Sequence, residues 1–299
     1  MNPLQAADLQ QERDLARRRL TEEMPSENTR TLAYRVSLIV GQFSRQIAIA
    51  LAEMAPPITL PGENFENLVG PWIERVATDV YRVSPLLQNA GEKVLSTAET
   101  RAVHETVALR ISQTRTLSPH DFSTALVHGM IAKSAAALGR LALGALRGAS
   151  RDVWLSLADA AFWFPSAALQ PGQRLCENDA NVETLLRVLQ FRIAAAGKRI
   201  NEALAILDRT IELIDSLPKG KPAALNATIS YSAFLISVDI PIPPQKAIDM
   251  ISRLMDLRET DSTLKQAWDN FDVAQRQRDN PLAGLSADQV LFSMRVSQV

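Results

Sequence analysis

The side chains of this sequence best suited to metal binding or nucleophilic catalysis are three histidines and one cysteine. His120 and His128 are eight residues apart. Metal ligands on one helix are usually four residues apart, as in an HExxH motif, which does not occur here. His104 lies on a short predicted helix with no partner visible in the sequence. We therefore predict solvated or helix-capping histidines and no metal site.

Cys176 follows a Pro-Gly turn, and Arg174 is its one basic neighbour. A nucleophilic thiol needs a lowered pKa and a nearby base, so this cysteine is predicted to be an ordinary thiol. A lone cysteine also excludes an intramolecular disulfide framework and a multi-cysteine metal site. The absence of such a framework is compatible with a reducing compartment, and we expect a cytoplasmic location.

Glycine-rich phosphate-binding loops are also missing. Gly139 and Gly144 have the spacing of a nucleotide-binding P-loop, but Ala145 and Leu146 stand where the lysine and the hydroxyl residue are required. The sequence contains no GxGxxG or GxSxG motif and no ladder of acidic residues. We find no catalytic constellation and no cofactor motif, and we expect a protein that is not an enzyme.

Composition and charge are those of an ordinary globular protein. The chain has 299 residues, 46% hydrophobic and 22% charged, with a formal net charge of −1. This balance argues against a dedicated nucleic-acid binder, which usually carries a basic excess. The two most apolar regions, Leu32–Met54 and Met130–Leu146, are both interrupted by basic residues. They are predicted to be buried helices and not membrane spans, and the polar N-terminus does not resemble a secretory signal.

Apolar residues recur at helical spacing along nearly the whole chain, which predicts an all-α fold. We expect an N-terminal helical region over residues 1–115 and a helical-repeat region over 116–299, as one continuous structure. The predicted helices comprise Thr29–Leu51, Phe65–Val80 with a break at Pro71, Leu86–Ala98, Ala102–Ser112, a long helix from Ser118, Arg151–Phe164, Val182–Ala196, Ile200–Leu217, Pro222–Val238, Gln245–Arg258 and Asp261–Arg278. Residues 227–235 also fit the alternation of a strand.

The C-terminal half contains a weak internal repeat. Ile200–Asp215 aligns on Pro244–Glu259 at an offset of 44 residues, with identities that include Ala203 on Ala247 and Leu213 on Leu257. Paired helices at such a period are typical of a helical solenoid, in which each pair buries its face on the next. The alternative is that two amphipathic helices align through their shared periodicity alone.

The second helix of this pair resembles that of a tetratricopeptide repeat. Ala203, Leu207 and Pro218 stand where that motif has a small residue, a large one and a closing proline. The resemblance covers Val182–Pro218 and, more loosely, Pro222–Glu259. Phe191 and Ala194 depart from the motif, and the period exceeds its 34 residues. The resemblance implies a concave, non-catalytic surface that holds a peptide or another protein.

Two groups of residues are candidates for binding a partner. The aromatic residues Trp154, Phe162, Trp163 and Phe164 cannot all face the core from one helix. The basic residues Lys198, Arg199, Lys219 and Lys221 lie at connections between predicted helices, where they would share one rim of a solenoid.

These candidates support two functional hypotheses. The first is a scaffold, adaptor or sensor segment that recognises a protein or peptide, within a larger complex or outside one. The alternative is a helical subunit of a nucleoprotein complex whose basic rim contacts the nucleic-acid backbone.

Overall fold

The computed structural model of the chain describes residues 22–215, except positions 115, 149, 171 and 178, and the isolated positions 12, 15, 19, 243–246, 248, 249, 252 and 265. Helices predominate in this part of the chain, as expected, and a small sheet accompanies them. The helices are α1 (Glu27–Val36), α2 (Arg45–Ala52), α3 (Pro61–Glu66), α4 (Thr97–Ser112), α5 (Pro119–Ala132), α6 (Ala135–Gly148), α7 (Arg151–Ala160), α8 (Ala180–Ala196) and α9 (Ile200–Asp215). The strands are β1 (Gln42–Phe43), β2 (Ile73–Ala77) and β3 (Val80–Val83), and 3-10 turns occupy Ala90–Lys93 and Phe164–Ser166.

The chain divides into two compact units, Met1–Leu141 and Ala142–Val299. The division falls inside α6, so the first unit extends beyond residue 115, where the sequence pattern places the start of the repeat region. The reason lies in the packing of α5 against α4, which holds α5 in the first unit. Within the described ranges, no helix is long and apolar enough to cross a bilayer.

The sheet corrects the prediction of a helix over Phe65–Val80. Its strand order is β1-β3-β2, and both neighbouring pairs are antiparallel. Pro71 lacks a backbone N–H and Gly70 has a φ of 109°, so a helix cannot continue past Glu66 into this segment. Asp79, with a φ of 56°, reverses the chain between β2 and β3. Of the apolar residues that fit the helical period, Val76 lies in β2 and is 47% exposed, and Val80 begins β3.

The long helix predicted from Thr29 to Leu51 is also wrong, because two helices separated by β1 replace it. Gly41 has a φ of 81°, a backbone conformation that ends helical geometry, and β1 then pairs with β3. Leu38 and Ile39, between the helices, are nonetheless buried. The apolar period therefore identifies most of the core residues of this segment but not their secondary structure, and Val40, which also fits the period, is 41% exposed. In the same way, a 3-10 turn at Ala90–Lys93 replaces the helix predicted over Leu86–Ala98.

Several predicted boundaries are confirmed. Ser118 caps α5 by accepting a hydrogen bond from the Asp121 backbone N–H, with Pro119 as the first helical residue. Residues 197–199 join α8 to α9, as predicted. The predicted helices beyond residue 217 and the ambiguous segment 227–235 lie outside the described residues, apart from isolated positions.

A buried arginine connects α1 to the irregular segment after α2. Arg35 is 1% exposed, although its charge suggested an interruption of the core. Its guanidinium donates to the carbonyl oxygens of Leu51 at 2.8 Å, Met54 at 3.1 Å and Pro56 at 2.9 Å. Burial lowers the pKa of this group, and the Glu99 carboxylate partly opposes that effect. One carbonyl of the last turn of α2 and two carbonyls of the chain that follows are satisfied in this way.

Two of the three histidines form a buried pair, which corrects the prediction that they are solvated or capping. His104 of α4 and His128 of α5 place their Nδ1 atoms 2.7 Å apart, and His128 Nε2 accepts a hydrogen bond from the Val40 backbone N–H at 3.1 Å. Because Nε2 of His128 is an acceptor, the proton of the neutral ring belongs on Nδ1, which donates to His104. His120 is exposed in the first turn of α5.

Burial, together with the neighbouring His104, lowers the pKa of His128 to about 3. Desolvation also lowers the pKa of His104. Both rings are therefore neutral in the folded chain at physiological pH. The pair joins α4, α5 and the residue that leads into β1, so it fixes the position of the edge strand.

The unfolded chain binds protons at these histidines near pH 6.5, whereas the folded chain does so only at much lower pH. Stability is therefore lost as the pH falls from about 6.5 towards 3, by at most about 1.4 kcal/mol per pH unit for His128. His128→Gln should flatten this part of the pH profile, and the exposed control His120→Gln should not. Urea unfolding at a series of pH values measures both slopes, and equal slopes would contradict the assignment.

In the second unit, α8 and α9 form a helical hairpin. Its core contains Val188, Phe191 and Ala194 of α8 packed on Ala203, Ile206 and Leu207 of α9, with Leu146 of α6 at its margin. Ala203 and Leu207, which carried the resemblance to the tetratricopeptide motif, are fully buried. The small side chain of Ala203 allows the two helices to approach closely.

Candidate functional site

The four candidate aromatic residues lie in different environments at the end of α7. Trp154 is buried, with the Arg192 guanidinium of α8 5.2 Å from its ring centroid. Phe164 is fully buried in the 3-10 turn, and Trp163 is half-buried against it in an edge-on arrangement. Phe162 is 66% exposed. Packing within the chain therefore accounts for Trp154 and Phe164, and Phe162 remains the aromatic residue available to a partner.

The turn between α8 and α9 brings two of the candidate basic residues to this aromatic segment. Arg199 Nη1 donates a hydrogen bond to the backbone carbonyl of Phe162, and the same guanidinium forms an ion pair with Glu202. Lys198 is exposed and has a φ of 55°. A Cβ atom on Gly197 would lie 3.5 Å from Ala158 of α7, so this turn packs closely on the end of that helix. Lys219 and Lys221 lie outside the described residues.

We refer to Phe162, Lys198 and Arg199 as the Phe162 surface. Leu155, two helical turns before Phe162, is 45% exposed and extends the apolar area along α7. Asp159 is exposed between them. The surface thus combines an aromatic ring, an aliphatic side chain and charges of both signs.

A buried glutamine fixes the backbone behind Phe162. Gln190 of α8 is fully buried, and its side-chain amide donates to the carbonyl oxygens of Phe164 at 2.7 Å and Ala167 at 2.8 Å. The bond to Ala167 satisfies a carbonyl of the irregular chain after α7, and the Phe164 carbonyl accepts a second hydrogen bond from the Ala167 backbone N–H. The segment that displays Phe162 is therefore attached to the hydrophobic hairpin by directed hydrogen bonds.

The same network continues into a buried ion pair. Arg187 Nε lies 2.8 Å from Glu183 Oε1, and both side chains are at least 96% buried. Glu183 Oε2 accepts from the backbone N–H groups of Leu175 and Cys176, both at 2.7 Å. Arg187 also donates to Gln190 Oε1 and to the carbonyl of Gln173. Each charge is thus paired and hydrogen-bonded, the condition under which an ion pair is tolerated in a core.

Sequence reasoning did not identify Glu183, Arg187 and Gln190. Their spacing of four and three residues places them on one face of α8, a helix that is buried on most of its surface. Three polar residues in a stripe on an otherwise apolar helix were the signal available. A helical period is recognised from apolar residues alone, so it does not indicate a stripe of polar residues.

No nucleophile and base are paired at the Phe162 surface, and the described residues contain no group of three or more His, Cys, Asp or Glu side chains arranged to hold a metal ion. Cys176 is buried. The Phe162 surface exposes an aromatic ring and basic side chains that a partner could contact.

No family model, curated protein or solved structure matches the chain. Functional inference consequently rests on the residues of this chain themselves.

Gln190→Ala should destabilise the second unit by about 1–3 kcal/mol, because it removes the side-chain donor to the Ala167 carbonyl and the acceptor of Arg187 Nη1. The matched control, Gln170→Ala, removes an exposed glutamine from the same segment and should leave stability within about 0.5 kcal/mol. Denaturant unfolding and hydrogen exchange of residues 164–176 report the change. A Gln190 variant as stable as the control would show that the network does not hold this segment.

Proposed function

We propose that this chain is a non-catalytic protein–protein interaction module, a scaffold, adaptor or sensor segment, which recognises a protein or peptide partner through the Phe162 surface. The observation that supports this proposal is the display of Phe162, two-thirds exposed, on backbone held by hydrogen bonds from Gln190 and Arg199. Aromatic residues are frequent anchors of protein interfaces.

The hydrogen bonds that hold the backbone around Phe162 favour recognition of a partner. The Arg199 guanidinium holds the carbonyl of Phe162 itself, and Gln190 holds the carbonyls of Phe164 and Ala167. An aromatic ring fixed before binding loses little conformational entropy when a partner covers it. A partner suited to this surface offers an apolar pocket for the ring and a carboxylate at its rim for Lys198.

A helical-repeat architecture of the second unit belongs to the same proposal. The α8–α9 hairpin would be one repeat, and the aligned helix over residues 244–259 would belong to the next. Repeats of this kind bury their faces on their neighbours and leave extended surfaces for ligands. The Phe162 surface borders the turn of the first hairpin, where such a ligand would lie.

Binding of nucleic-acid backbone through Lys198, Arg199, Lys219 and Lys221 is the alternative. Arg199 is engaged by the Phe162 carbonyl and by Glu202, which reduces its capacity for phosphate. Affinity that falls steeply with added salt would favour this alternative.

Phe162→Ala should weaken binding of a stoichiometric partner by roughly 30-fold or more, the cost of losing an interface anchor worth about 2 kcal/mol. Leu60→Ala is the matched control, because Leu60 is 63% exposed but lies before α3 in the first unit. The parent chain and the two variants are each used for affinity capture from the native extract at low and high salt. Quantitative mass spectrometry of the captured proteins then identifies the partner. Calorimetry with the purified partner then gives the affinities.

Support requires a partner that survives high salt, is lost with Phe162→Ala and is retained with Leu60→Ala. A partner retained equally by both variants would contradict the role of the Phe162 surface. Nucleic acid that dissociates as salt is added would replace the proposal with its alternative.

A further inference from the structure

Exposed apolar side chains of the second unit are concentrated in one short stretch of chain. In the described part of this unit, the exposed large apolar side chains are Leu143, Val153, Leu155 and Phe162. The last three lie within the ten residues that contain α7 and the turn after it. Exposed apolar area of this kind, rimmed by polar residues, is typical of a surface that another protein covers. The charges around Phe162 indicate what kind of protein this is.

Phe162 lies where two structural elements meet. Asp159 precedes it by three residues, in the last turn of α7, and Lys198 belongs to the turn between α8 and α9. The Arg199 guanidinium of that turn donates a hydrogen bond to the Phe162 carbonyl and so holds the two elements together. The ring is therefore flanked by a helix that carries an acidic side chain and by a turn that carries a basic one.

The charges beside this ring balance after the pairing within the chain is taken into account. Arg199 forms an ion pair with Glu202 at 3.4 Å, so these two charges compensate each other. Asp159 and Lys198 are both exposed, and neither forms an ion pair within the described residues. The first two residues of α7, at its other end, are likewise one base and one acid. The surface has no excess of either sign, which argues against a strongly acidic or strongly basic partner.

A ring flanked by one acid and one base has what a twofold-symmetric contact requires. In such an interface the same patch lies on both sides, so every contact between two different residues occurs twice. Two copies can meet ring to ring about a twofold axis that crosses the line from Asp159 to Lys198. The acidic side of each copy then lies opposite the basic side of the other, and two ion pairs flank one aromatic pair.

We propose that the Phe162 surface binds a second copy of this chain, with the two Phe162 rings packed on each other and Asp159 of each copy paired with Lys198 of the other. This inference rests on the proposed function, whose partner it identifies. The carboxylate that Lys198 requires of a partner is supplied by Asp159 of the second copy. The hydrogen bonds from Arg199 and Gln190 hold the ring-bearing segment of both copies before they meet, which lowers the entropic cost of association.

Sedimentation velocity of the full chain at concentrations from roughly 1 µM to 1 mM tests this inference. The average mass should rise from that of one chain towards that of two. Phe162→Ala should weaken dimer formation roughly 30-fold or more, because it removes the anchor from both copies. The control Leu60→Ala changes an exposed leucine of the first unit and should leave the dimer unchanged.

Lys198→Glu and Asp159→Lys should each weaken the dimer roughly tenfold or more, because the twofold axis turns two attractive pairs into two repulsive ones. The matched control, Arg140→Glu, reverses the charge of an exposed residue of α6 and should have no such effect. Circular dichroism confirms that each variant is folded.

An equimolar mixture of the Lys198→Glu and Asp159→Lys chains distinguishes this arrangement from other modes of association. In a mixed dimer the new carboxylate at position 198 faces the new ammonium at position 159, and the original Asp159 faces the original Lys198. Both ion pairs are restored, so the mixture should dimerise as the parent chain does, although each variant alone does not. Native mass spectrometry with one chain labelled with nitrogen-15 should detect the mixed dimer.

A chain that remains monomeric at roughly 1 mM would overturn the proposal. The same holds for a dimer that Phe162→Ala or the two charge reversals leave unchanged, and for a mixture that is no more dimeric than its components. A monomeric chain that captures a different protein through Phe162 would overturn the identity of the partner alone and leave the proposed function intact.

Discussion

The hydrogen-bonded stripe of Glu183, Arg187 and Gln190 is the constraint on which the second unit depends. The segment between α7 and α8, residues 161–179, contains a 3-10 turn and otherwise lies outside the helices and the sheet, which satisfy most backbone groups. The stripe supplies acceptors for the N–H groups of Leu175 and Cys176 and donors for three carbonyls that precede them in the chain. Charge is tolerated in this core because each charged atom of the pair has a directed partner.

The first unit uses the same principle in different places. Arg35 satisfies three carbonyls after α2, and His128 satisfies the N–H of Val40 before β1. In both units, buried polar side chains of helices form hydrogen bonds with the backbone of the irregular segments next to another helix or strand. The Phe162 surface is displayed by such irregular chain, and its geometry is set by the buried Gln190 together with Arg199, which belongs to the surface.

The features of the fold and of the candidate site that could be predicted from the sequence are those set by interactions between residues close in sequence. The Ser118 cap and the hairpin with its turn at residues 197–199 were predicted, because local rules of capping and apolar spacing determine them. The hairpin β2–β3 was missed, because short strands with apolar residues three and four apart also satisfy a helical period. Phe162 was among the predicted candidate residues, but the sequence did not predict that Phe162 is exposed while Trp154 and Phe164 are buried. That distinction depends on Gln190 and Arg199, which are distant in sequence.

Cys176 gives the stripe an experimental consequence of its own. The thiol is fully buried, its backbone N–H is held by Glu183, and it is the one cysteine of the chain. A thiol-specific reagent can modify it only after the segment around it opens. The rate of alkylation in the native state therefore measures the free energy of that local opening at a single position, without any engineered label. Cys176 thus reports how firmly the stripe holds the segment between α7 and α8.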